Sequence, residues 1–245
     1  MVAGLSDKKV VFIVQARMSS TRLPGKILMP IPIPNGQPLI KWILESLSES
    51  SSHAEVIVAT SQSPENDIFF NYCKAQNIKC FRGSEDDVLS RFIKVLKSDR
   101  YDVAVRLTGD NPLIDIKILD EAIDFHLACG NDYTNTTRLP LGMNFEICSP
   151  AALLDLESQP VSEHDKEHVT AYIKRNSKYK KSEYAIADES LKALRLTVDY
   201  PSDFLVVSAV LSLAMTTSLK GMDLVRDAMR KYPWLFEVNA GNIQK

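Results

Sequence analysis

The sequence is short of the features that mark several common classes of protein. Its 245 residues include four cysteines, which are widely spaced and form no CxxC pair. This spacing argues against a zinc site or a disulfide framework and suits a reducing compartment. No window approaches the roughly 20 apolar residues of a membrane span, and the opening residues MVAGLSDKK do not resemble a signal peptide. The net charge of -2 argues against broad attraction to nucleic acid or membranes. We therefore expect a soluble cytoplasmic protein.

The glycine-rich motifs of two large nucleotide-binding classes are missing as well. The sequence contains neither GxxxxGKS/T nor GxGxxG, so a P-loop hydrolase or a dinucleotide oxidoreductase is disfavoured. What the sequence has instead is a basic loop, in which Arg17, Arg22 and Lys26 follow an apolar strand predicted at 10–16. Arginine forks match phosphate oxygens and lysine adds a compact charge. The loop therefore predicts a binding site for a polyphosphate. The alternative is a solvated surface loop whose charges are unrelated.

Strand and helix patterns alternate through the first half of the chain. Predicted strands lie at 10–16, 55–60, 78–82 and 102–107, and predicted helices at 39–47, 64–76, 85–97 and 116–127. Such alternation with short connections predicts an α/β fold, with a mostly parallel twisted sheet and helices on both faces.

The pattern changes after residue 130. Short strands are predicted near 132–136, 143–148, 183–187 and 194–199, and helices at 150–157, 165–176, 202–216 and 221–231. We expect one domain over 1–245 in which residues 131–190 form a smaller α+β insertion, rather than a second independent domain.

Two aspartates follow predicted strands, where ligands bind in open parallel sheets. Asp110 comes after the strand at 102–107, and Asp199 ends the strand at 194–199. Carboxylates from two strand ends, with substrate phosphates and water, would suit Mg²⁺; a turn residue or a helix cap is the alternative for each. Asp203 lies in the first turn of a predicted helix, where a carboxylate is favoured anyway, and we interpret it as structural.

Several segments together resemble a known family. QARMSSTRLPGKIL is similar to the N-terminal signature of CMP-sugar synthetases. The nearest group is the spore-coat polysaccharide cytidylyltransferases, relatives of the CMP-Kdo and CMP-sialic acid synthetases. The signature pattern A-R-x-x-S-x-R-x-P-x-K is met by Ala16, Arg17, Ser20, Arg22, Pro24 and Lys26. Further matching segments, in the family's order, are RLTGDNPLID, RLPLGMNFEI, KEHVTAYI and LRLTVDYPSDF. MPIPIPNGQPLI departs from the pattern because it is longer than the compact family form.

The resemblance implies a nucleotide-diphospho-sugar transferase fold, which is Rossmann-like, and a homodimer. It implies transfer of CMP from CTP to a hydroxyl of an acidic sugar, with Mg²⁺ as cofactor and release of pyrophosphate, for polysaccharide or glycan biosynthesis. A sugar-phosphate nucleotidyltransferase that uses another nucleoside triphosphate is a rival, although those families usually carry a GxGxR-type loop that VQARMSS lacks. A non-catalytic nucleotide-binding module is the rival from a different class.

The resemblance also implies roles for individual residues, and it requires the basic loop and the two aspartates to share one pocket. Arg17, Arg22, Lys26 and Asp110 would be catalytic; Ala16, Ser20 and Arg82 would join them in nucleotide binding; Asp110 and Asp199 would bind the metal; Arg138 and Glu146 would contact the acceptor.

Several of these positions have other interpretations. An ion pair with Asp86 or Asp87 is the alternative for Arg82. Arg106, inside a predicted strand, needs a carboxylate partner. His168 and its neighbour Glu167 could touch the acceptor or a partner subunit, or simply pack. No pattern indicates a protein general base.

Overall fold

Alternating apolar residues at the start of the chain form the central strand of a seven-stranded sheet. The computed structural model describes residues 8–243; MVAGLSD, which belongs to the opening segment predicted not to be a signal peptide, lies outside them. Along this strand Phe12 and Val14 face one side of the sheet, and Val11 and Ile13 face the other. Both faces are covered by helices, because a central strand of a parallel sheet is apolar on both sides.

The described residues contain the following strands and helices. The strands are β1 (Val10–Gln15), β2 (Pro30–Ile31), β3 (Gln37–Pro38), β4 (Glu55–Ser61), β5 (Cys80–Gly83), β6 (Val103–Thr108), β7 (Tyr133–Thr137), β8 (Glu146–Cys148) and β9 (Lys181–Ala185). The helices are α1 (Leu39–Leu47), α2 (Asp67–Ala75), α3 (Val88–Ser98), α4 (Ile116–Cys129), α5 (Pro150–Asp155), α6 (Glu163–His168), α7 (Ala171–Arg175), α8 (Pro201–Ala214) and α9 (Gly221–Lys231).

The main sheet has the order β5-β4-β1-β6-β8-β7-β9. The strands β5, β4, β1 and β6 are parallel, β8 is antiparallel to both of its neighbours, and β9 is parallel to β7. The predicted mostly parallel α/β fold is therefore confirmed, with β8 as the exception. Strands from residues 131–190 extend the sheet of the first half.

Two predicted elements are wrong in detail. The helix predicted at 165–176 is two short helices, α6 and α7, which are separated at Val169 and Thr170. The strand predicted at 194–199 is an extended segment outside the main sheet, where Arg195 forms an isolated bridge with Leu141. Its backbone forms hydrogen bonds with the loop before β8 instead of with a neighbouring strand. The segment therefore has the sequence pattern of a strand but is not part of the sheet.

The proline-rich stretch 29–38 forms a small hairpin from β2 and β3. Trp42 on α1 donates its indole N–H to the Ile31 carbonyl oxygen at 2.6 Å, and the Ile33 N–H donates to Ser208 of α8 at 3.3 Å. The extra residues of this stretch thus join α1 to α8. In residues 8–243 no helix has the length and apolar character needed to cross a membrane.

Candidate active site

The basic loop after β1 is held by hydrogen bonds of its own backbone and by a side chain that precedes α2. The Gly25 N–H donates to the Met18 carbonyl oxygen at 3.0 Å, and Asn66 accepts from the Met18 N–H at 2.8 Å. Gly25 has a φ of 75°, in the left-handed region that glycine adopts without strain. The short 3₁₀ turn Lys26–Leu28 follows at once, and it directs the Lys26 side chain toward the ends of the strands.

Lys26 bridges the two predicted aspartates. Its Nζ lies 2.9 Å from Asp110 Oδ2 and 2.8 Å from Asp199 Oδ1, and it donates to the Val198 carbonyl oxygen at 2.6 Å. Arg22 adds a second cation, with Nη2 at 3.1 Å from Asp199 Oδ2. We call Lys26, Asp110, Asp199 and Arg22 the lysine cluster. Because Lys26 is only 6% exposed, its charge is held inside the protein by these carboxylates.

Main-chain contacts explain why two aspartates far apart in sequence meet. The Val198 N–H donates to the Asp110 carbonyl oxygen at 2.9 Å, which sets the segment before Asp199 beside the end of β6. Gly142 lies against the same segment, and a Cβ at this position would come within 2.2 Å of the Thr197 nitrogen. A glycine is therefore needed where the loop after β7 passes the aspartate-bearing segment.

Asp203 supports the site from behind, in line with its interpretation as structural. It is fully buried and accepts hydrogen bonds from Arg195 Nε at 2.9 Å and Nη2 at 3.0 Å. Burial acts to raise the pKa of the Asp203 carboxyl, but hydrogen bonds from Arg195 and Asn242 outweigh it and hold that pKa below its usual range. Arg195 also approaches Asp199, so the carboxylate of Asp203 fixes a cation that faces the lysine cluster.

A cleft of about 280 Å³ opens over the lysine cluster, at the carboxyl ends of β1 and β6. Among the described residues, it is lined by five cationic side chains, Arg17, Arg22, Lys26, Arg91 and Arg106, and by three carboxylates, Asp110, Glu167 and Asp199. The excess of cations makes the cleft suitable for an anionic ligand. Ala16, Ser20 and His168 also line the cleft.

Arg17 and Ser20 reach the cleft in different ways. Arg17 Nη1 lies 3.0 Å from Glu85 Oε1, and the same carboxylate accepts hydrogen bonds from Ser19 and Ser63. The Arg17 side chain remains 46% exposed, so it can still turn a face to a ligand. Ser20 Oγ accepts from the Leu23 N–H at 3.3 Å, which shapes the loop.

A second cavity of about 430 Å³ adjoins the cleft and shares with it Arg106, Thr108 and Asp110. The shared wall means that one bound molecule in the cleft and another in the second cavity would meet at Asp110. Glu146 and Lys174 line the far side of this cavity, together with the polar residues Asn111, Asn135, Thr136, Asn144 and Thr197.

Glu146 is the centre of a second charged group. It pairs with Arg106 at 2.5 Å and with Lys174, and it accepts hydrogen bonds from Tyr133 Oη at 2.6 Å and Thr170 Oγ1 at 3.0 Å. We call these five residues the glutamate cluster. Burial acts to raise the pKa of Glu146, but the charges of Arg106 and Lys174 outweigh it and bring that pKa to about 2.

The break between α6 and α7 serves this cluster. Val169 has a φ of 54°, which a β-branched residue rarely adopts. The turn at Val169 points the buried Thr170 hydroxyl at both oxygens of Glu146. A continuous helix over this segment would not do so, which is the physical reason that the predicted single helix is wrong.

Two predicted site residues lie outside the residues that line the cleft and the second cavity. Arg82 pairs with Asp67 at 2.7 Å and lies over the Phe70 ring, so its ion-pair partner is neither Asp86 nor Asp87. Arg138 lies in a turn, with its Nε 3.9 Å from the Glu189 carboxylate, and its side chain is half exposed. The structure therefore does not bring either arginine to the lysine cluster.

Several residues that the sequence patterns missed hold the site together. Glu85 anchors Arg17, Tyr200 supports Arg22, with its ring centroid 4.7 Å from the guanidinium carbon, and Lys174 completes the glutamate cluster. The position of Tyr200 directly after Asp199 was a usable signal. Nothing in the sequence around Glu85 or Lys174 distinguishes them from ordinary surface charges, because their partners are remote in sequence.

The oxygen donors at the lysine cluster are chemically suited to Mg²⁺. Two carboxylates, Asp110 and Asp199, converge on one cation, and hard cations of this kind take oxygen ligands with water and phosphate completing the shell. Within residues 8–243 no group of three or more His, Cys, Asp or Glu side chains is arranged as a ready metal cage. Any metal here would thus depend on substrate oxygens for part of its coordination.

A larger cavity of about 460 Å³ lies between α1, α8 and α9 and is lined by none of the predicted site residues. Size alone would favour it. The adjoining cleft and second cavity carry the convergent charged groups, and we place the candidate active site there.

Comparison with known proteins places the chain in a family. The cytidylyltransferase family model matches residues 11–217. The spore coat polysaccharide biosynthesis protein SpsF of Bacillus subtilis is 36% identical over 208 residues, which cover 82% of this chain and 85% of that protein. The chain belongs to the cytidylyltransferase family. As a member of that family it is a nucleotidyltransferase, and the resemblance recognised in the sequence is confirmed.

Two further relatives agree with this assignment. A solved cytidylyltransferase from Leptospira borgpetersenii is 30% identical with a TM-score of 0.86, covering 97% of this chain and 99% of that one. The 3-deoxy-manno-octulosonate cytidylyltransferase of Bdellovibrio bacteriovorus is 32% identical over 114 residues, covering 46% of this chain and 43% of that protein. The first supports the fold along the whole chain, and the second supports a family relation over about half of it.

Proposed function

We propose that this cytidylyltransferase transfers CMP from CTP to a hydroxyl group of an acidic sugar and releases pyrophosphate. The observation that carries the proposal is the shared wall of the two cavities, where Asp110 and Arg106 face both. A nucleotide in the cleft would place its α-phosphate near this wall, within reach of an acceptor in the second cavity. Holding two reactants in contact is itself a large part of catalysis.

The basic loop suits the triphosphate. Arg17 and Arg22 would bind the β- and γ-phosphates, with Lys26 at the base of the cleft. As the acceptor oxygen bonds to the α-phosphorus and its hydroxyl proton passes to water, the bond from that phosphorus to the bridging oxygen breaks and pyrophosphate leaves. Fixed cations that face the leaving group offset the negative charge that develops on it. Ala16 and Ser20 would contact the nucleotide from the start of the loop.

The glutamate cluster suits an acidic acceptor. Arg106 and Lys174 share the single carboxylate of Glu146, which leaves one positive charge on the far side of the second cavity. A carboxylate on the acceptor would complete that balance, and amides such as Asn135 and Asn144 would bind its hydroxyl groups. The carboxylate of Glu146 is already satisfied by four partners, so we propose that it positions Arg106 and Lys174 and does not itself bind the sugar.

Asp110 and Asp199 would hold Mg²⁺, which when bound polarises the α-phosphate and neutralises phosphate charge. The position of Lys26 between both carboxylates supports this proposal, because it shows that the carboxylates can share one cation. The hydrogen bond between the Val198 N–H and the Asp110 carbonyl oxygen holds the two carboxylates close together, and Mg²⁺ would take oxygens that Lys26 and Arg22 contact in this structure.

The names of the relatives support a role in polysaccharide or glycan biosynthesis, since one relative is a spore coat polysaccharide biosynthesis protein and another acts on 3-deoxy-manno-octulosonate. The four cysteines are free thiols, which supports a reducing, cytoplasmic compartment. A homodimer remains part of the proposal.

Ligand-dependent melting tests the nucleotide. We expect CTP with Mg²⁺ to raise the melting temperature more than UTP, GTP or ATP. A selective shift by another triphosphate would favour the rival nucleotidyltransferase, and no shift by any would favour a non-catalytic module that binds something else.

Pyrophosphate release with CTP tests the acceptor. We expect release with sugars that carry a carboxylate and little release with the neutral counterparts. Asp110→Asn should abolish release, whereas Asp124→Asn, which changes an exposed carboxylate on α4, should not. Equal release by Asp110→Asn and the unaltered enzyme would contradict the proposal.

A further inference from the structure

Residues 239–243, near the end of the chain, contain a turn that contacts the start of α8. The segment lies beyond residue 217, where the match to the family model ends. Asn239 is only 1% exposed, and its carbonyl oxygen accepts from the Asn242 N–H at 3.1 Å. Burial of a polar side chain is costly unless the side chain is hydrogen-bonded. The partners of these two asparagines therefore indicate what the segment does.

Both asparagines donate to the same oxygen of Asp203. Asn239 Nδ2 lies 2.9 Å from Asp203 Oδ1, and Asn242 Nδ2 lies 2.8 Å from it. Arg195 Nε donates to this oxygen as well, at 2.9 Å. Asn239 also donates to the Arg195 carbonyl oxygen at 2.9 Å. One carboxylate oxygen in the first turn of α8 is thus held by three donors, and two of them come from the end of the chain.

The other oxygen of Asp203 holds the main chain that carries Asp199. The N–H groups of Asp199 and Tyr200 both donate to Asp203 Oδ2, each at 3.0 Å. Because the two oxygens of a carboxylate are joined through one carbon, the donors on Oδ1 influence where Oδ2 lies. Asp203 is fully buried, so the loss of a donor leaves its charge less well satisfied. The asparagines therefore help to fix the backbone of Asp199, whose side chain belongs to the lysine cluster.

A second contact connects the segment to the basic loop through Tyr200. The Tyr200 hydroxyl lies 3.4 Å from the Ile243 carbonyl oxygen and 3.3 Å from Arg22 Nη1. The hydroxyl has one proton to donate, and the carbonyl oxygen can only accept it. The lone pairs of the hydroxyl are then left for the guanidinium, which can only donate. The end of the chain thus orients a group that holds Arg22.

We propose that segment 239–243 is a positioning element of the active site. Its two asparagines hold the main chain of Asp199, and its last carbonyl oxygen orients the Tyr200 hydroxyl toward Arg22. This inference rests on the proposed function, in which the basic loop and the lysine cluster bind the triphosphate. It gives a role to a segment for which the sequence patterns predicted none. Asp199 and Arg22 line the cleft but not the second cavity, so the segment acts on the nucleotide side alone.

Binding of inorganic triphosphate with Mg²⁺, measured by calorimetry, tests this inference. The probe carries neither base nor sugar, so it reports on the phosphate side of the cleft whichever nucleotide the enzyme uses. Tyr200→Phe keeps the ring and removes the hydroxyl, and Asn242→Ala removes one donor from Asp203. We expect the dissociation constant to rise about fivefold in Tyr200→Phe and about tenfold in Asn242→Ala. Asn71→Ala, which changes an exposed asparagine on α2, is the control and should leave it unchanged.

Steady-state kinetics gives a second readout that a purely structural role would not move. With pyrophosphate release as the assay, the KM for CTP should rise in Tyr200→Phe and in Asn242→Ala. The KM for the acceptor should stay within about twofold in both variants, because their contacts end on the cleft side.

The outcomes separate this inference from the proposed function. If the unaltered protein binds triphosphate but releases no pyrophosphate from CTP with any acidic sugar, the proposed function fails and the binding data still decide the inference. If both variants bind triphosphate as tightly as the parent, or raise the two KM values equally, the inference is overturned. A lower melting temperature with unchanged triphosphate binding would likewise mean that the segment only stabilises the fold. If circular dichroism shows that Asn242→Ala is unfolded, Tyr200→Phe decides, and an unchanged dissociation constant in that variant would overturn the inference.

Discussion

The lysine cluster and the glutamate cluster are built from the same interactions with opposite sign. In one, a buried cation is shared by two carboxylates; in the other, a buried carboxylate is shared by two cations. The two clusters lie on either side of the wall formed by Arg106 and Asp110. In each cluster the central ion has two partners of the opposite charge. It holds both side chains in place but balances the charge of only one of them. The difference in sign is what would let one side take a metal with phosphates and the other take a carboxylate.

The largest expected effect is on the lysine cluster. Lys26→Met removes the shared cation and leaves Asp110 and Asp199 facing one another, so we expect transfer activity to fall by about 10³-fold or more. The melting temperature should fall as well, since like charges then repel. Lys94→Met, an exposed lysine on α3, is the matched control and should change neither.

A double variant separates stability from activity at this site. Lys26→Met with Asp199→Asn removes one of the two repelling charges, so we expect the melting temperature to recover in part while transfer stays lost. Recovery of both would mean that Lys26 acts only as a structural counter-ion and that Asp199 is not needed to hold a metal.

The next largest effect is expected at the glutamate cluster. Glu146→Gln leaves Arg106 and Lys174 without their shared carboxylate, and we expect kcat/KM for the acceptor to fall by about 100-fold. The KM for CTP should stay within about twofold, because the basic loop that lines the cleft is unchanged. Steady-state kinetics with each substrate varied in turn measures both. An equal rise of the two KM values would show that the clusters are not separate, and Glu65→Gln on the surface is the control.

A buried group outside both clusters gives the third effect. His126 on α4 lies at 2.9 Å from the Thr134 hydroxyl, and burial lowers its pKa from 6.5 to about 4. The folded protein thus favours neutral imidazole, so its contribution is complete above pH 6.5 and is lost as pH falls from 6.5 toward 4. The free energy of unfolding should drop by about 2 kcal/mol between pH 7.5 and pH 5.

Urea unfolding at stepped pH measures this loss. His126→Gln keeps a hydrogen-bonding group but cannot titrate, and it should flatten the decrease over that window. An unchanged slope in His126→Gln would assign the loss to other groups. The depressed pKa of Glu146 predicts a separate loss, which begins only below about pH 4.5 because that carboxylate must be protonated.

The smallest effect is expected at the exposed end of the cleft, where Arg17 pairs with Glu85. Glu85→Gln weakens the contact that orients Arg17, and exposed ion pairs contribute little. We expect the KM for CTP to rise by about threefold with kcat nearly constant, since the arginine keeps its charge. The KM for CTP should be measured at low and at high salt. Because salt screens the ion pair, the difference in KM between the variant and the parent should be smaller at high salt. A loss as large as that of Lys26→Met would place Glu85 in the catalytic machinery.

Local patterns in the sequence were sufficient for much of the fold. Helix α1 begins and ends where its apolar spacing predicts, at Leu39 and Leu47. The four parallel strands β1, β4, β5 and β6 follow from runs of apolar residues between helices, because both faces of such a sheet are buried. The expectation that Lys26 and Asp110 lie at one edge of the sheet followed from position, since residues after parallel strands gather there. For Asp199 the shared pocket was implied by the family resemblance, because segment 194–199 lies outside the sheet.

The sequence failed where a structure depends on a partner from elsewhere in the chain. The segment 194–199 has the pattern of a strand, but it pairs with the loop at Leu141. The break at Val169 has no local signal, because it is imposed by the contact of Thr170 with Glu146. The counter-ion of Arg82 is Asp67 on α2, rather than the acidic residues that follow it in sequence.

By itself the sequence determined which side chains carry charge and which strand ends they follow. The periodic pattern of apolar residues is enough to locate the strands, and the charged residues can then be placed relative to them. Only the tertiary structure decided which charges are paired and which are left over. Partners such as Glu85 for Arg17 or Lys174 for Glu146 come from distant segments. The contacts that segment 239–243 makes behind the lysine cluster are visible only once the chain has folded. The physical reason is that the stability of an ion depends on everything within a few ångströms of it, and neighbours in space are seldom neighbours in sequence.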